Sequence, residues 1–184
     1  ETNEGYKNLL YLVTEAWIHG FFERPRVDKA LLKERHTGLI AIIPSFAGDI
    51  AQHLKASDAN GAAAAIAEYE SIFGKENLFL EITHHPKVNG HEETMSKIVA
   101  LAQKTGTPLV AQHDVYYLKP EDREACEIMR RIQQGERGRN EDEDFSFIDA
   151  KQAEKLFKDL PEAIENAGRI ADRCNVSFEL GKWV

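Results

Sequence analysis

Apolar residues along this chain follow two spacings, and the alternation between them outlines the fold. Over residues 5–19, Leu9, Leu10, Leu12, Val13, Ala16 and Trp17 recur at helical intervals, with Asn3 placed to cap the start and Gly20 to end it. Residues 21–26 predict an extended connector, because Pro25 blocks a helix there. Asp28 caps a short second helix to about Arg35, and Gly38 breaks it. The uninterrupted apolar run over 39–43 then has the form of a strand buried on both faces.

The same sequence of signals repeats. Asp49 opens a short helix, Ser57 and Asp58 lead into a longer one over 62–73, and Gly74 stops it. Leu78–Ile82 predicts the next strand, followed by the loop Thr83-His84-His85-Pro86. A helix over 90–104 ends at the C-cap Gly106, and a third apolar run over 108–111 passes directly into Gln112-His113-Asp114-Val115-Tyr116. Pro120 stands at the first position of a helix reaching about residue 134, and the charged stretch 136–144 predicts an exposed loop. Asp149 caps a helix to about Lys158, Pro161 starts another with Ala163, Ile164, Ala167, Ile170, Ala171 and Cys174 on one face, and 176–180 predicts a last short strand. Strand and helix alternating with short loops imply an α/β fold with a parallel sheet. Three strands leave barrel and open sheet equally possible. The polar clusters around Ser45, His84 and Asp114 all follow strands, so this topology sets them on one rim.

Composition narrows the function. With 184 residues the chain suits one domain or a slice of a larger one. Its formal charge of -8, from 31 acidic and 23 basic residues, argues against a dedicated nucleic-acid-binding module, though not against membership of a larger nucleic-acid enzyme. Cys126 and Cys174 lack a C-x-x-C partner and are expected to be buried free thiols in a reducing compartment. No apolar run approaches the ~20 residues that cross a membrane. Glu1 at the start and an end without a polar tail, Leu180-Gly181-Lys182-Trp183-Val184, lead us to expect an internal fragment.

Several residues are candidates for chemistry. An Asp beside a His past a strand end, as at Asp114 and His113, suits a divalent cation or acid–base work. The structural alternative has Asp114 capping a loop and His113 bonding the backbone. His84 and His85 are adjacent, so on an extended chain they point apart and chelate one ion poorly; surface histidines in a loop are the expectation. His19, His36, His53 and His91 read as surface or capping residues. Ser45 lies in Pro44-Ser45-Phe46-Ala47-Gly48, which departs from the Gly-x-Ser-x-Gly nucleophile elbow at Pro44 and Ala47. Glu81 falls inside a buried strand, so its carboxylate must be paired or face the rim. Lys7, Arg24, Arg26 and Lys29 suit phosphate contact or a solvated face.

Six stretches together resemble the PHP (polymerase and histidinol phosphatase) domain at the amino end of bacterial replicative DNA polymerase alpha subunits. They are N-E-G-Y-K-N-L-L-Y-L-V (3–13), F-F-E-R-P-R-V-D-K-A-L-L (21–32), G-L-I-A-I (38–42), T-P-L-V-A-Q-H-D-V-Y-Y-L-K-P-E-D (107–122), L-F-K-D-L-P-E-A-I-E-N-A (156–167) and R-C-N-V-S-F-E-L-G-K (173–182). The resemblance implies the later part of a distorted β/α barrel over 1–148, then an exit segment of helices and a short strand over 149–184 toward the polymerase thumb and palm. The family's His-x-His motif would precede Glu1, and the palm, with its catalytic aspartates and magnesium, would follow Val184.

The resemblance also carries three metal-ligand positions onto this chain. A Cys or His falls on Ser45, the Asp of an Asp-x-His falls on Asp114, and its His falls on Tyr116. Only Asp114 is kept, because serine and a neutral phenol are poor ligands for a zinc-like ion. The expectation is a degraded metal site, with Zn or Mn bound only if that site were intact, and with Glu81, His84 and His113 as further rim candidates. His113 is expected to point to the other face, one step along the strand tail. The resemblance implies a parent DNA-directed DNA polymerase in the cytoplasm, with DNA and other replisome subunits as partners, a proofreading subunit among them. This part would be an inactive scaffold. The alternative is a stand-alone PHP-type metal-dependent phosphoesterase or exonuclease.

Overall fold

The computed structural model describes residues 1–134, 143–178 and 180–181. Its elements are α1 (Asn3–Ile18), α2 (Lys29–Glu34), β1 (Ala41–Ile43), α3 (Gly48–Lys55), α4 (Ala59–Phe73), β2 (Leu78–Ile82), α5 (His91–Thr105), β3 (Leu109–Ala111), α6 (Arg123–Gln134), α7 (Ala150–Leu156) and α8 (Pro161–Arg173). The strands form one parallel sheet in the order β1-β2-β3. Leu78, Phe79 and Leu80 of β2 register with Ala41, Ile42 and Ile43, while Leu80, Glu81 and Ile82 register with Leu109, Val110 and Ala111. The α/β class with a parallel sheet therefore stands.

Alternation along β2 decides where the core lies. Leu78, Leu80 and Ile82 share one face and join Ile50, Leu54 and Ile66 of the helices before the strand and Ile98 and Leu101 of the helix after it. Phe157 and Ala163, from α8 and the turn before it, enter the same cluster, so the stretch after Asp149 is built into this core. Asn166 fixes α8 to the edge strand by donating its side-chain amide to the Leu109 carbonyl at 2.8 Å.

Helix ends follow local chemistry, with some displacement. Asp28 and Asp58 cap α2 and α4 by accepting from Leu31 N–H and Gly61 N–H, each at 2.8 Å. Asp149 and Gln152 form a reciprocal capping box on α7. Thr2, rather than Asn3, caps α1; the Asn3 side chain instead accepts from Ser177 N–H at 2.9 Å. Ala47 precedes α3, and Asp49 lies in its first turn. The first strand is shorter than expected, since Leu39 and Ile40 are outside it. A 3-10 turn, Pro120–Asp122, precedes α6. Residues 176–178 form no strand and Leu180 lies in a turn, while Glu179 lies outside the described residues. Among the described residues that backbone has no sheet neighbour; Ser177 is held by Asn3. The cysteines also differ from expectation. Both are free, but Cys126 is half-buried and Cys174, at the end of α8, is exposed. Among the described residues no helix is long and apolar enough to cross a membrane.

Candidate functional site at the strand ends

The three strands end side by side, and their following residues meet as the topology requires. Ser45, past β1, is completely buried. Its backbone N–H and its hydroxyl both donate to Oε2 of Glu81, at 2.7 and 2.8 Å. The carboxylate of a buried strand is thus paired, as its position demanded.

The centre of the rim is His85. It is 2% exposed, in place of the expected surface histidine. Its Nε2 lies 3.5 Å from Asp114 Oδ2, and its ring is 4.9 Å from that of His113 and 4.7 Å from Phe145. Both of its ring nitrogens are buried without a hydrogen bond, as is Nδ1 of His113. The adjacent His84 goes elsewhere, half-exposed against Phe157 at 6.3 Å. Adjacent histidines do diverge here, but one of them turns inward.

His113 joins Asp114 in this cluster, against the expectation that it would face away. The alternation rule fails because β3 ends at Ala111, and beyond it the chain is no longer a strand. His113 Nε2 lies 2.9 Å from the Ser146 carbonyl. Nε2 therefore carries the proton in the neutral ring, and Nδ1 keeps its lone pair.

His91 is also a correction. It is buried at the start of α5 rather than on the surface. His85 N–H donates to its Nε2 at 3.1 Å, and Thr83 Oγ1 lies at the same distance, so the lone pair is at Nε2. Phe46 stacks on its ring at 5.7 Å. The helix starts directly after the loop, so its first residue turns back under that loop.

Burial lowers the pKa of His85 below the usual imidazole value; neighbouring His113 pushes the same way and Asp114 opposes. Burial likewise lowers His91, helped by His84. Both rings are therefore held toward the neutral form.

A segment distant in sequence closes the rim. Tyr116 N–H donates to the Phe145 carbonyl and Phe147 N–H to the Tyr117 carbonyl, at 2.9 and 3.0 Å. Glu143, expected in an exposed loop, is buried and accepts from Lys87 N–H at 2.8 Å. Asp144 is exposed as expected, and the remainder of that predicted loop, 136–142, lies outside the described residues. Tyr116 is 53% exposed, with Phe145 at 5.1 Å and the Arg130 guanidinium over its ring at 4.0 Å.

The sequence places Ser45, Glu81, His84, His113 and Asp114 on the rim; the structure turns His84 toward Phe157 and adds His85, His91 and Glu143. The signal available for His91 was its spacing, since it stands in the helical register of Met95 and Val99. Two of the early basic residues are engaged within the chain. Lys29 pairs with Glu68 and Asp49 at 2.6 and 3.1 Å, and Arg26 lies 5.5 Å from the Phe22 ring.

His85, His113 and Asp114 carry donor atoms suited to a borderline divalent ion. Among the described residues, however, no three His, Cys, Asp or Glu side chains are arranged to hold one.

Comparison with known proteins gives this arrangement a lineage. Residues 1–85 match the family model described as the PHP domain. The chain is 31% identical to DNA polymerase III subunit alpha of Helicobacter pylori, with 98% of this chain and 16% of the relative covered. It is 36% identical to the Pseudomonas aeruginosa subunit over 98% of the chain and 16% of that protein. The Haemophilus influenzae subunit is 31% identical over 100% of the chain and 16% of its own length. Along nearly its whole length the chain is similar to one segment of the DNA polymerase III alpha subunit, and its first 85 residues match the PHP domain. It spans 16% of the length of these curated relatives. The family match ends at residue 85, so it includes β1, β2 and His85 but not β3.

Proposed function

We propose that this chain serves as a PHP scaffold within a replicative DNA polymerase large subunit, with its family metal site degraded. The parent would extend a primer by two-metal phosphoryl transfer, using magnesium in a palm outside this sequence. The observation that carries the scaffold reading is the use made of Ser45. The position where the resemblance expects a ligand is buried, and its hydroxyl is already bonded to Glu81. Tyr116, the second altered position, has its ring engaged by Phe145 and Arg130. Asp114 alone keeps the family identity. Among the described residues the rim donors are not arranged as a three-ligand group, which supports the degraded reading.

The same proposal holds the sheet to be the later part of a distorted β/α barrel. Residues 1–148 would be its PHP portion and 149–184 the exit toward the polymerase core. Leu9, Leu10, Val13, Trp17 and Ile18 of α1 are exposed, and such an apolar helix surface calls for cover by more of a longer protein. DNA, a proofreading subunit and other replisome subunits would be partners of the parent, in the cytoplasm. The test is primer extension by the purified chain: no extension is expected, and measurable extension overturns the scaffold role.

One observation favours a second reading. The buried ring nitrogens of His85 and Nδ1 of His113 make no hydrogen bond and lie beside Asp114, a donor set whose chemistry suits a divalent ion of a phosphoesterase. Stoichiometric zinc or manganese in the complete protein, lost on Asp114→Ala, would establish that reading.

A further inference from the structure

Beside the histidine cluster, a groove of about 380 Å³ runs between α5 and the turn joining α7 to α8. Its floor is apolar and firmly held. Ile82 and Phe157 are buried core residues, and Met95, Val99, Leu156 and Leu160 pack against that core while also lining the groove. Met95 and Val99 stand four residues apart on one face of α5, so that wall is a straight helical ridge. The opposite wall is fixed by its own turn, in which Leu160 N–H donates to the Phe157 carbonyl at 2.9 Å before Pro161 starts α8. Such a preformed apolar cleft is the ordinary form of a binding site.

The mouth carries charge of one sign. Glu92 lines the α5 wall and Asp159 the opposite wall, and both are exposed. Neither carboxylate forms an ion pair among the described residues. Two carboxylates without an ion-pair partner among the described residues, one on each wall of an apolar slot, favour a ligand with an apolar centre and cationic flanks. The chain's net charge of -8 favours the same ligand at longer range.

We propose that this groove binds a basic peptide segment of a partner protein through one large apolar side chain. The side chain enters between α5 and the α7–α8 turn, and flanking arginine or lysine residues meet Glu92 and Asp159. The groove is open to solvent, so a compact small molecule would leave much of its surface in water. A side chain carried on a peptide need bury only its apolar part, while the backbone lies across the mouth. The inference stands apart from the polymerase reading, since it uses only this groove.

The test is titration of the full ¹⁵N-labelled chain with the blocked peptide Gly-Arg-Phe-Arg-Gly, followed by amide chemical shifts. Saturable shifts confined to α5 and residues 156–160 are expected. The counterpart Gly-Glu-Phe-Glu-Gly should bind at least tenfold more weakly. The double variant Glu92→Gln, Asp159→Asn, altered only at exposed positions, should weaken the basic peptide at least fivefold while the chain keeps its folded amide spectrum. Ser96→Arg, also exposed at the mouth, should abolish binding by supplying the cation from the chain itself. Shifts elsewhere, or none, overturn the proposal. So does equal binding of the two peptides. Binding of phenethylammonium as tight as that of the basic peptide also overturns it, by making the groove a small-molecule site.

Discussion

Ser45 and Glu81 are joined twice through one oxygen: the backbone N–H and the hydroxyl of Ser45 both donate to Glu81 Oε2, at 2.7 and 2.8 Å. The pair ties the end of β1 to the end of β2 at the rim. A bond from a buried hydroxyl to a carboxylate contributes about 1.5–3 kcal/mol. Ser45→Ala should therefore lower unfolding stability by about that amount. Glu81→Ala should cost more, because it leaves both donors of Ser45 without an acceptor. Urea unfolding with an unchanged slope is the measurement, and an unaltered midpoint for Glu81→Ala would show that the pair carries no stability.

How far this pair and its surroundings were legible in the sequence depends on the distance over which each feature is determined. Strand β2 has the bounds its sequence predicts because Leu78–Ile82 is an apolar run, interrupted only by Glu81 and set off by Gly74 and Pro86. Asp28, Asp58, Gly106 and Asp149 marked helix ends because capping is chemistry within a few residues. Glu81 was flagged by cost, since an apolar strand does not hold a lone carboxylate. His85 escaped notice because what buries it is Phe145, sixty residues further along the chain. The placement of Glu143 depends in the same way on the distant backbone of Lys87. His113 departs from strand alternation because the strand stops at Ala111.

Burial of His85 and His91 makes stability depend on pH in a defined direction. Both folded-state pKa values lie below the unfolded imidazole value of about 6.5, with burial as the main cause in each. Below pH about 6.5 the unfolded chain takes up protons that the folded chain refuses, so unfolding gains free energy. The stabilisation is complete above that pH and is lost as pH falls toward the lowered folded values. The urea midpoint should fall steadily from pH 7 to pH 5. The double variant His85→Gln, His91→Gln should have a lower midpoint at pH 7 but a flatter profile. A wild-type profile already flat over this range would count against neutral burial of the two rings.

The contact between His85 and Asp114, at 3.5 Å, should be visible in the titration of the ring. Asp114 raises the His85 pKa against the larger effects of burial and of His113. Asp114→Asn removes that support, so the His85 midpoint should move further down, followed by NMR of the imidazole signals. Asp114 is about half-exposed, so solvent weakens the coupling and a modest displacement is expected. No displacement would mean that the carboxylate does not act on the ring at all.

The crossing of Gly5 and Gly38 gives the sharpest packing prediction. The first turn of α1 lies directly on the turn that leads into β1, and a Cβ added to Gly5 would overlap the Gly38 carbonyl. The Glu1 nitrogen also lies 2.7 Å from that carbonyl. Gly38 has φ +74°, which a residue with a side chain adopts only under strain, and Thr2 Oγ1 sits where its Cβ would go. Neither backbone has room to yield. Gly5→Ala gains helix propensity of about 1 kcal/mol in an ordinary helix, yet here the overlap outweighs it. The expected result is a net loss of about 1–3 kcal/mol, the range for overpacking a close contact. Gly168→Ala in α8, where an added Cβ meets no atom within 4 Å, is the matched control and should stabilise the chain. Thermal unfolding of the two variants should therefore move in opposite directions, and a Gly5→Ala chain as stable as the Gly168→Ala chain would show that the two turns do not touch.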